Sequence, residues 1–587
     1  MSLASEVGDS SLVYRFMSLA SNNAIWSTRA AFGRFGLSSV LSDSSVDGYL
    51  AANPKLYPKL YRYRFDPNSN VRQSMNAIWI ALVKNPAETI ETHFEAIIED
   101  LLASIVNREW RVRQASCAAI ADLVQGRKLE KIRPYLDRIW SLSFKVLDDI
   151  KDSVRTAAAG LARVMTGTLL RSLETSEGST NTAGEMLKHV LPFLLSTSGL
   201  ESSAKDVQAL SLDTLLQVIK KAKGKTLRPS IPELIERLLG LLSSLESQMI
   251  NYLHLNASKY NVTEQQIDDQ RLSAIRMSPL MEAIERCLDL LDEDTMGKLS
   301  PRLQSAMKNA VGLPSKVCLI SVRLSDSHLH FLQVGCSRVL VTLSTRQNFI
   351  FRPYSDQFLK ILEKQIFDRN ETVSSSYAGA MGYVARGATD EQLLHTANFA
   401  KGLYFVSDDD RQRIISGEIV HAIAKHSADR FAALAADFLP FVYIALHDEN
   451  IQVKEVFKEA WDENVGGPRA VSLYLTEIVA LVTLNLKSAR WGLKHAAALS
   501  IADTTTSICS SRGEISEADG EMLWPAIKIA MAEKTWDGKE KVLDGFVAFV
   551  RSGEKFWKPR KEVASDIVEV SWSSRVACAN VRRLDEN

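Results

Sequence analysis

Apolar residues recur along this chain at helical spacing, in paired segments separated by a short polar turn. Phe94, Ile97, Ile98, Leu101, Leu102 and Ile105 repeat at intervals of three and four, as one apolar helix face requires. Asn107 interrupts them, and Ala115, Cys117, Ala118, Ile120, Ala121, Leu123 and Val124 resume the pattern with smaller side chains. The same order returns as Leu136, Ile139, Trp140, Leu142, Phe144 and Val146, then Asp149, then Ala157, Ala158, Ala159, Leu161, Ala162 and Val164. Small-residue faces let helices approach closely. Each helical pair is therefore apolar on two sides, and only further pairs above and below can cover it.

The polar turns are themselves in register. Asp66-Val71-Arg72, Asn107-Val112-Arg113 and Asp149-Val154-Arg155 place their acidic or amide residues 41 and 42 positions apart, with a fainter copy at Asn23-Thr28-Arg29. Asp368-Val373-Ser374 and Asp448-Val453-Lys454 resume the pattern 80 residues apart, or two periods of 40. A period near 40 predicts an all-α, HEAT/armadillo-like α-solenoid of stacked antiparallel helical hairpins. In each copy the Asp or Asn precedes by six the position that is usually basic. The first is placed to accept N–H groups where the second helix begins, and Arg72, Arg113, Arg155 or Lys454 to pair with the acidic residue of a neighbouring turn.

Composition agrees with a large helical core. The 587 residues are 46% hydrophobic and 24% charged. Length alone suggests about four domains, but a continuous repeat array needs no internal boundary. Seventy basic residues balance seventy acidic ones, so no global field draws the chain to nucleic acid or anionic lipid. No secretory signal opens it and no uncharged apolar run reaches about 18 residues, which argues against membrane insertion. Cysteines 117, 287, 318, 336, 509 and 578 show no metal-ligand spacing. Reduced thiols in the cytoplasm and nucleus follow, and the Asn256 and Asn261 sequons are chance matches.

Longer blocks carry a resemblance. SLVYRFMSLASNNAIW (11–26), LYRYRFDPNSNVRQSM (60–75), WRVRQASC (110–117), DDIKDSVRTAA (148–158), RLSAIRMSPLMEAIERCLDLLD (271–292), FDRNETVSSSYAGAMGYVAR (367–386) and KTWDGKEKVLDGF (534–546) resemble the proteasome-associated HEAT-repeat adaptor and scaffold family. The resemblance runs from about 11 to 557 and corresponds to part of the C-terminal half of longer members. It implies a non-enzymatic adaptor of the 26S proteasome that holds the regulatory particle against the core particle and restrains faulty assemblies. Another helical-repeat binder, such as a nuclear transport receptor or a phosphatase scaffold, is the alternative reading. A segment cut from a longer array would expose apolar faces at its ends, so poor solubility is expected.

Against that family the chain divides into regular repeats at 1–170, HEAT-like repeats at 171–316 with a polar loop at 256–271, HEAT-like repeats at 334–557 and a partly unmatched tail at 558–587. Residues 317–333, VCLISVRLSDSHLHFLQ, are absent from the family pattern, and their ends can be encoded by the borders of a short intron. We read them as a retained intron that splits a hairpin.

Candidate chemistry is sparse, and neither a catalytic site, a cofactor nor a metal is expected. His328 and His330 lie inside the extra segment without a third ligand, and His421 and His426 fall on different faces of one helix. Gly379, Gly382 and Gly387 lack the Lys-Ser/Thr pair of a phosphate loop and read as helix packing. The aromatic and basic stretch 55–64 reads as the inward side of a first helix opened by Pro58 rather than a single-strand binder. Trp110, Trp491 and Trp536 stand near hairpin corners as buried plugs or partner anchors. Asp408, Asp409 and Asp410, followed by Arg411 and Arg413, are the candidate partner surface. They suit a basic patch on an ATPase ring, with a solvated helix start as the alternative.

Overall fold

The computed structural model describes residues 57–83, 85–174, 180–196, 199–242 apart from 201 and 203, 277–309, 326–368, 370–464, 469–532 and 536–572, with a few isolated positions between 263 and 273. All regular structure among them is helical, and the chain divides into two compact units, Met1–Ser230 and Ile231–Asn587.

Four hairpins make up the described part of the first unit. Their longer helices are α1 (Tyr57–Tyr63) with α2 (Ser69–Leu82), α3 (Phe94–Ser104) with α4 (Trp110–Val124), α5 (Leu136–Leu147) with α6 (Asp152–Glu174), and α7 (Thr180–Leu194) with α8 (Lys205–Lys221). First helices stack on first helices, α1 on α3, and second on second, α4 on α6 and α6 on α8. The faces legible in the pattern form the core: Ile97, Ile98, Leu101, Ile105, Cys117, Ile120, Ile139, Val154, Ala158 and Leu161 are fully buried. In α1, Leu60, Tyr61 and Tyr63 point inward, with Tyr61 edge-on to Trp79 of α2.

In the second unit α9 (Ile231–Leu242) packs on α10 (Pro279–Asp289) and α11 (Glu293–Asn309). Beyond them come α12 (Asp326–Arg346), α13 (Ser355–Gln365), α14 (Glu371–Val384), α15 (Asp390–Val406), α16 (Asp410–His426), α17 (Ala435–Ala445), α18 (Ile451–Asn464), α19 (Leu475–Asn485), α20 (Trp491–Arg512), α21 (Glu517–Ala532) and α22 (Lys539–Ser552). Even-numbered helices from α12 to α18 pack each on the next, as do α20 and α22. At Gly382 of α14 an added Cβ would lie 2.3 Å from the Ala422 carbonyl oxygen of α16, so this contact requires glycine. Gly379 faces open space and Gly387 meets Ser355, so of the three glycines singled out Gly382 is the one pressed against the next hairpin's backbone.

Hairpins are joined by a recurrent device that the period did not reveal. Short helical turns end in Arg133-Pro-Tyr135, Arg228-Pro-Ser230 and Arg352-Pro-Tyr354, each a 3-10 turn leading directly into the next first helix. Proline suits that position because its fixed φ matches a helix start and its missing N–H is not needed there. The polar loop at 256–271 lies almost entirely outside the described residues, as does the copy at Asn23, Thr28 and Arg29. So does the first part of the 317–333 segment. From 326 onward that segment forms the opening turns of α12, and its last residue, Gln333, is buried.

Candidate partner-binding edge

Several of the described hairpins bend at a turn with one recurring geometry. The side chains of Asp66, Asn107, Asp149, Asp368 and Asp448 accept the backbone N–H two residues on, from Asn68, Glu109, Lys151, Asn370 and Asn450, at 2.8–3.0 Å. The helix cap itself sits two positions later than the spacing implied. Asn68, Asn370 and Asn450 accept from the first-turn amides, including those of Val71, Val373 and Val453 at 3.2–3.3 Å. An Asp-x-Asn pair thus satisfies both the turn and the helix start. Six residues after the turn residue, Arg72, Arg113 and Arg155 donate back to its carbonyl, at 3.4, 2.9 and 3.0 Å, and Ser374 does the same at 3.2 Å.

Arg113 also crosses to the next turn, and Arg413, farther along the chain, does the same. Arg113 donates through Nε and Nη2 to Asp149 at 2.6 and 2.9 Å. Arg413 donates to both oxygens of Asp448 at 3.2 and 2.9 Å, with side chains only 7% and 2% exposed. Burial opposes ionisation of Asp149, but the hydrogen bonds from Arg113 and from the Lys151 amide outweigh it and hold the carboxyl below its ordinary value. The turn that follows Arg72 carries an uncharged Asn107 in place of an acid, and Arg155 pairs with Asp152 and with Asp206. Lys454 occupies its half-buried position six after Asp448 without an ion pair among the described residues.

Arg413 exposes turns that the sequence pattern passed over. Ser407 lies six residues before it and accepts the Asp409 N–H at 3.1 Å, so a hydroxyl stands where other turns have a carboxylate. Ser488 accepts from Arg490 at 3.2 Å and Ser202 from Ala204 at 3.2 Å in the same way. The 80-residue gap between Asp368 and Asp448 therefore holds a complete repeat. A second recurring bond confirms this register. Tyr61, five before Asp66, donates to Asp122 at 2.6 Å, and Tyr443, five before Asp448, donates to Asp503 at 2.6 Å. Each acceptor lies fifteen residues after the following turn residue, Asn107 or Ser488.

The Asp408–Asp410 trio sits at the turn between α15 and α16, and all three have internal partners. Asp408 pairs with Arg490, whose Nη1 also donates to the Phe405 carbonyl at 2.9 Å. Asp409 caps α16 by accepting the Arg411 N–H at 3.0 Å. Asp410 pairs with Arg413 and accepts from Asn450 Nδ2 at 2.7 Å, and these hydrogen bonds hold its carboxyl below the ordinary range. Arg411 reaches back to the Asp368 carbonyl. Turns at 368, 407, 448 and 488 are thereby bridged into one edge. On it Val406 (80%), Ile451 (70%) and Trp491 (57%) remain exposed.

The remaining candidates have structural roles. His421 faces Glu459 and Glu463 of α18, and His426 stacks on Tyr383 at 3.9 Å. Trp536 stacks on His495 at 3.9 Å. Ser500, His447 and Asp503 meet, but Ser500 is fully buried and its hydroxyl donates to the Ala496 carbonyl at 2.7 Å. His447 Nδ1 lies 3.0 Å from the Tyr443 carbonyl, so it is engaged there rather than free to take a serine proton. Cys117, Cys287 and Cys336 are buried, which pushes their thiols up to about 12 and makes them inert at neutral pH. Among the described residues there is no cluster that could hold a metal and no helix long and apolar enough to cross a membrane.

Comparison with known proteins bears on what such an edge serves. Residues 227–329 and 331–405 match the family model of the HEAT-repeat domain of proteasome adapter and scaffold protein ECM29. Proteasome component ECM29 of Saccharomyces cerevisiae is 34% identical over 563 residues, 95% of this chain and 29% of the yeast protein. Proteasome adapter and scaffold protein ECM29 of Homo sapiens is 35% identical over 562 residues, 94% of this chain and 28% of the human protein. The chain belongs to the ECM29 family. It spans under a third of the length of these ECM29 relatives. Residues 66–167, within its most regular repeats, also match the model of the vacuolar 14 Fab1-binding region. The solved complex of Kap121p with Nup53p aligns along 97% of this chain and 62% of its own, at 12% identity and a TM-score of 0.27.

Proposed function

We propose that this chain is a non-enzymatic scaffold segment that binds the 26S proteasome, linking regulatory and core particles and acting in their quality control. The observation that carries the reading is an alignment along 95% of the chain to a protein named for the proteasome. The helical stack suits the task, because a ladder such as Arg113–Asp149 and Arg413–Asp448 fixes neighbouring turns in register and leaves their outer edge to partners. Its setting is the cytoplasm and nucleus, and its partners are protein surfaces rather than nucleic acid.

The Asp408–Asp410 turn is the contact we assign to a basic proteasomal surface. Asp408 is 84% exposed even while paired with Arg490. A tagged chain purified from cells should retrieve regulatory and core subunits together, as read by mass spectrometry. Recovery of transport GTPases or phosphatase subunits in their place would overturn the adaptor reading. Replacing Asp408 and Asp409 by Asn, while sparing Asp410 and its bond to Arg413, should lower recovery several-fold at low salt and less at moderate salt. Unchanged recovery at both salts removes this turn from the interface but leaves the adaptor reading standing.

A further inference from the structure

Two adjoining turns of the first unit carry a corner whose exposed groups the ladder does not use. Ile150, directly after Asp149, is 100% exposed, and Val106, directly before Asn107, is 46% exposed. Beside them Trp110 opens α4, half-buried, with its ring 5.1 Å from the Arg111 guanidinium and 5.3 Å from the Lys151 ammonium.

The corner is rigid. Arg113 donates to the carbonyls of Asn107 and Arg108, both at 2.9 Å, while its other nitrogens hold Asp149. Arg155 donates to the carbonyls of Asp149 and Ile150 at 3.0 and 3.3 Å. Both turns are thus fixed on one frame, and little ordering remains for a partner to impose.

Charge chooses the partner. Arg108, Arg111 and Lys151 form no ion pair among the described residues. Of the four carboxylates in these turns, Asp149 is taken up by Arg113 and Asp152 by Arg155, so the three cations outnumber the other two, Glu109 and Asp148, whatever those two contact. The apolar centre with a cationic rim matches the composition of binding hot spots, in which tryptophan and arginine predominate.

We propose that the Val106–Trp110–Ile150 corner docks an acidic linear segment of a partner protein. An aliphatic or aromatic side chain of that segment rests on Ile150 and Val106 beside Trp110, and its carboxylates meet Arg108, Arg111 and Lys151. This inference is independent of the adaptor reading and of the Asp408 turn.

A random 12-residue peptide display library panned against the full chain tests it, with counter-selection on Ile150→Ser and on the double variant Arg108→Glu, Lys151→Glu. These side chains are exposed, so circular dichroism and melting should be unchanged in both variants. Enriched peptides should combine acidic residues with one large apolar residue. They should lose about tenfold or more in affinity on Ile150→Ser, the scale of one buried aliphatic side chain, and weaken with salt. No enrichment, enrichment of basic peptides, or peptides that bind both variants as tightly as the parent chain would overturn it.

Discussion

Removing the Asp448 carboxylate isolates one link of the ladder. Arg413 and Asp448 are both buried, and Asp448 also accepts the Asn450 N–H at 2.9 Å. Asp448→Ala leaves a buried guanidinium with Asp410 as its remaining carboxylate, and that partner lies on the exposed side. Breaking a buried pair from one side costs about 3–5 kcal/mol, and the lost turn bond adds roughly 1 kcal/mol. Shared compensation by Asp410 brings the expectation to about 3 kcal/mol. Glu99→Gln, which removes the exposed Arg138–Glu99 pair, is the control and should cost under about 1 kcal/mol. Repeat arrays need not unfold in one step, so the assay is hydrogen exchange resolved to α16 and α18. Exchange there should accelerate by roughly 100-fold in Asp448→Ala, while α3 and α5 change little in either variant. Replacing Arg413 by Met and Asp448 by Leu together should recover most of the loss, since both charges then leave the interior. If Asp448→Ala accelerates exchange no more than Glu99→Gln does, the ladder does not hold the stack together.

Burial holds His426 below the ordinary histidine value, with Lys425 and Arg386 adding to the effect. Its folded pKa lies under its unfolded one, so its contribution is complete above about 6.5 and is lost as pH falls through the folded value. Melting temperature should therefore drop between pH 7.5 and 5.5, and His426→Gln should flatten that slope; an unchanged slope assigns it to other groups. Gln333 donates to Asp368 at 3.0 Å from 35 residues upstream, the separation at which Arg413 meets Asp448. Deleting 317–333 would bring Lys316 into the position of Gln333 and turn that bond into an ion pair, so the deleted chain should melt higher than the given one. A lower melting temperature, or mature message that retains the segment, contradicts the intron reading.

Much of the architecture was legible because a stacked hairpin repeats its needs. The faces of α3 and α5 follow from three- and four-residue spacing, and the turns at Asp66, Asn107 and Asp149 follow from residue types suited to a bend. Ser202, Ser407 and Ser488 escaped notice because a hydroxyl accepts the same N–H without the acidic signature that a pattern search follows. The spacing also placed the helix cap two residues early, because Asp and Asn are both strong acceptors and only backbone geometry shows which amide each one meets.

Periodicity by itself determined that paired helices alternate at about 40 residues and which side of each is apolar, since burial must recur once per turn of helix. Only the tertiary structure decided that Arg413 is buried on Asp448, that Arg490 crosses to Asp408 rather than to the adjacent turn, and that Ile150 stands free beside Trp110. Those outcomes depend on how far and at what angle one hairpin is displaced from the next. That displacement is set by the packed volumes of side chains distant in sequence, and a one-dimensional pattern does not carry it.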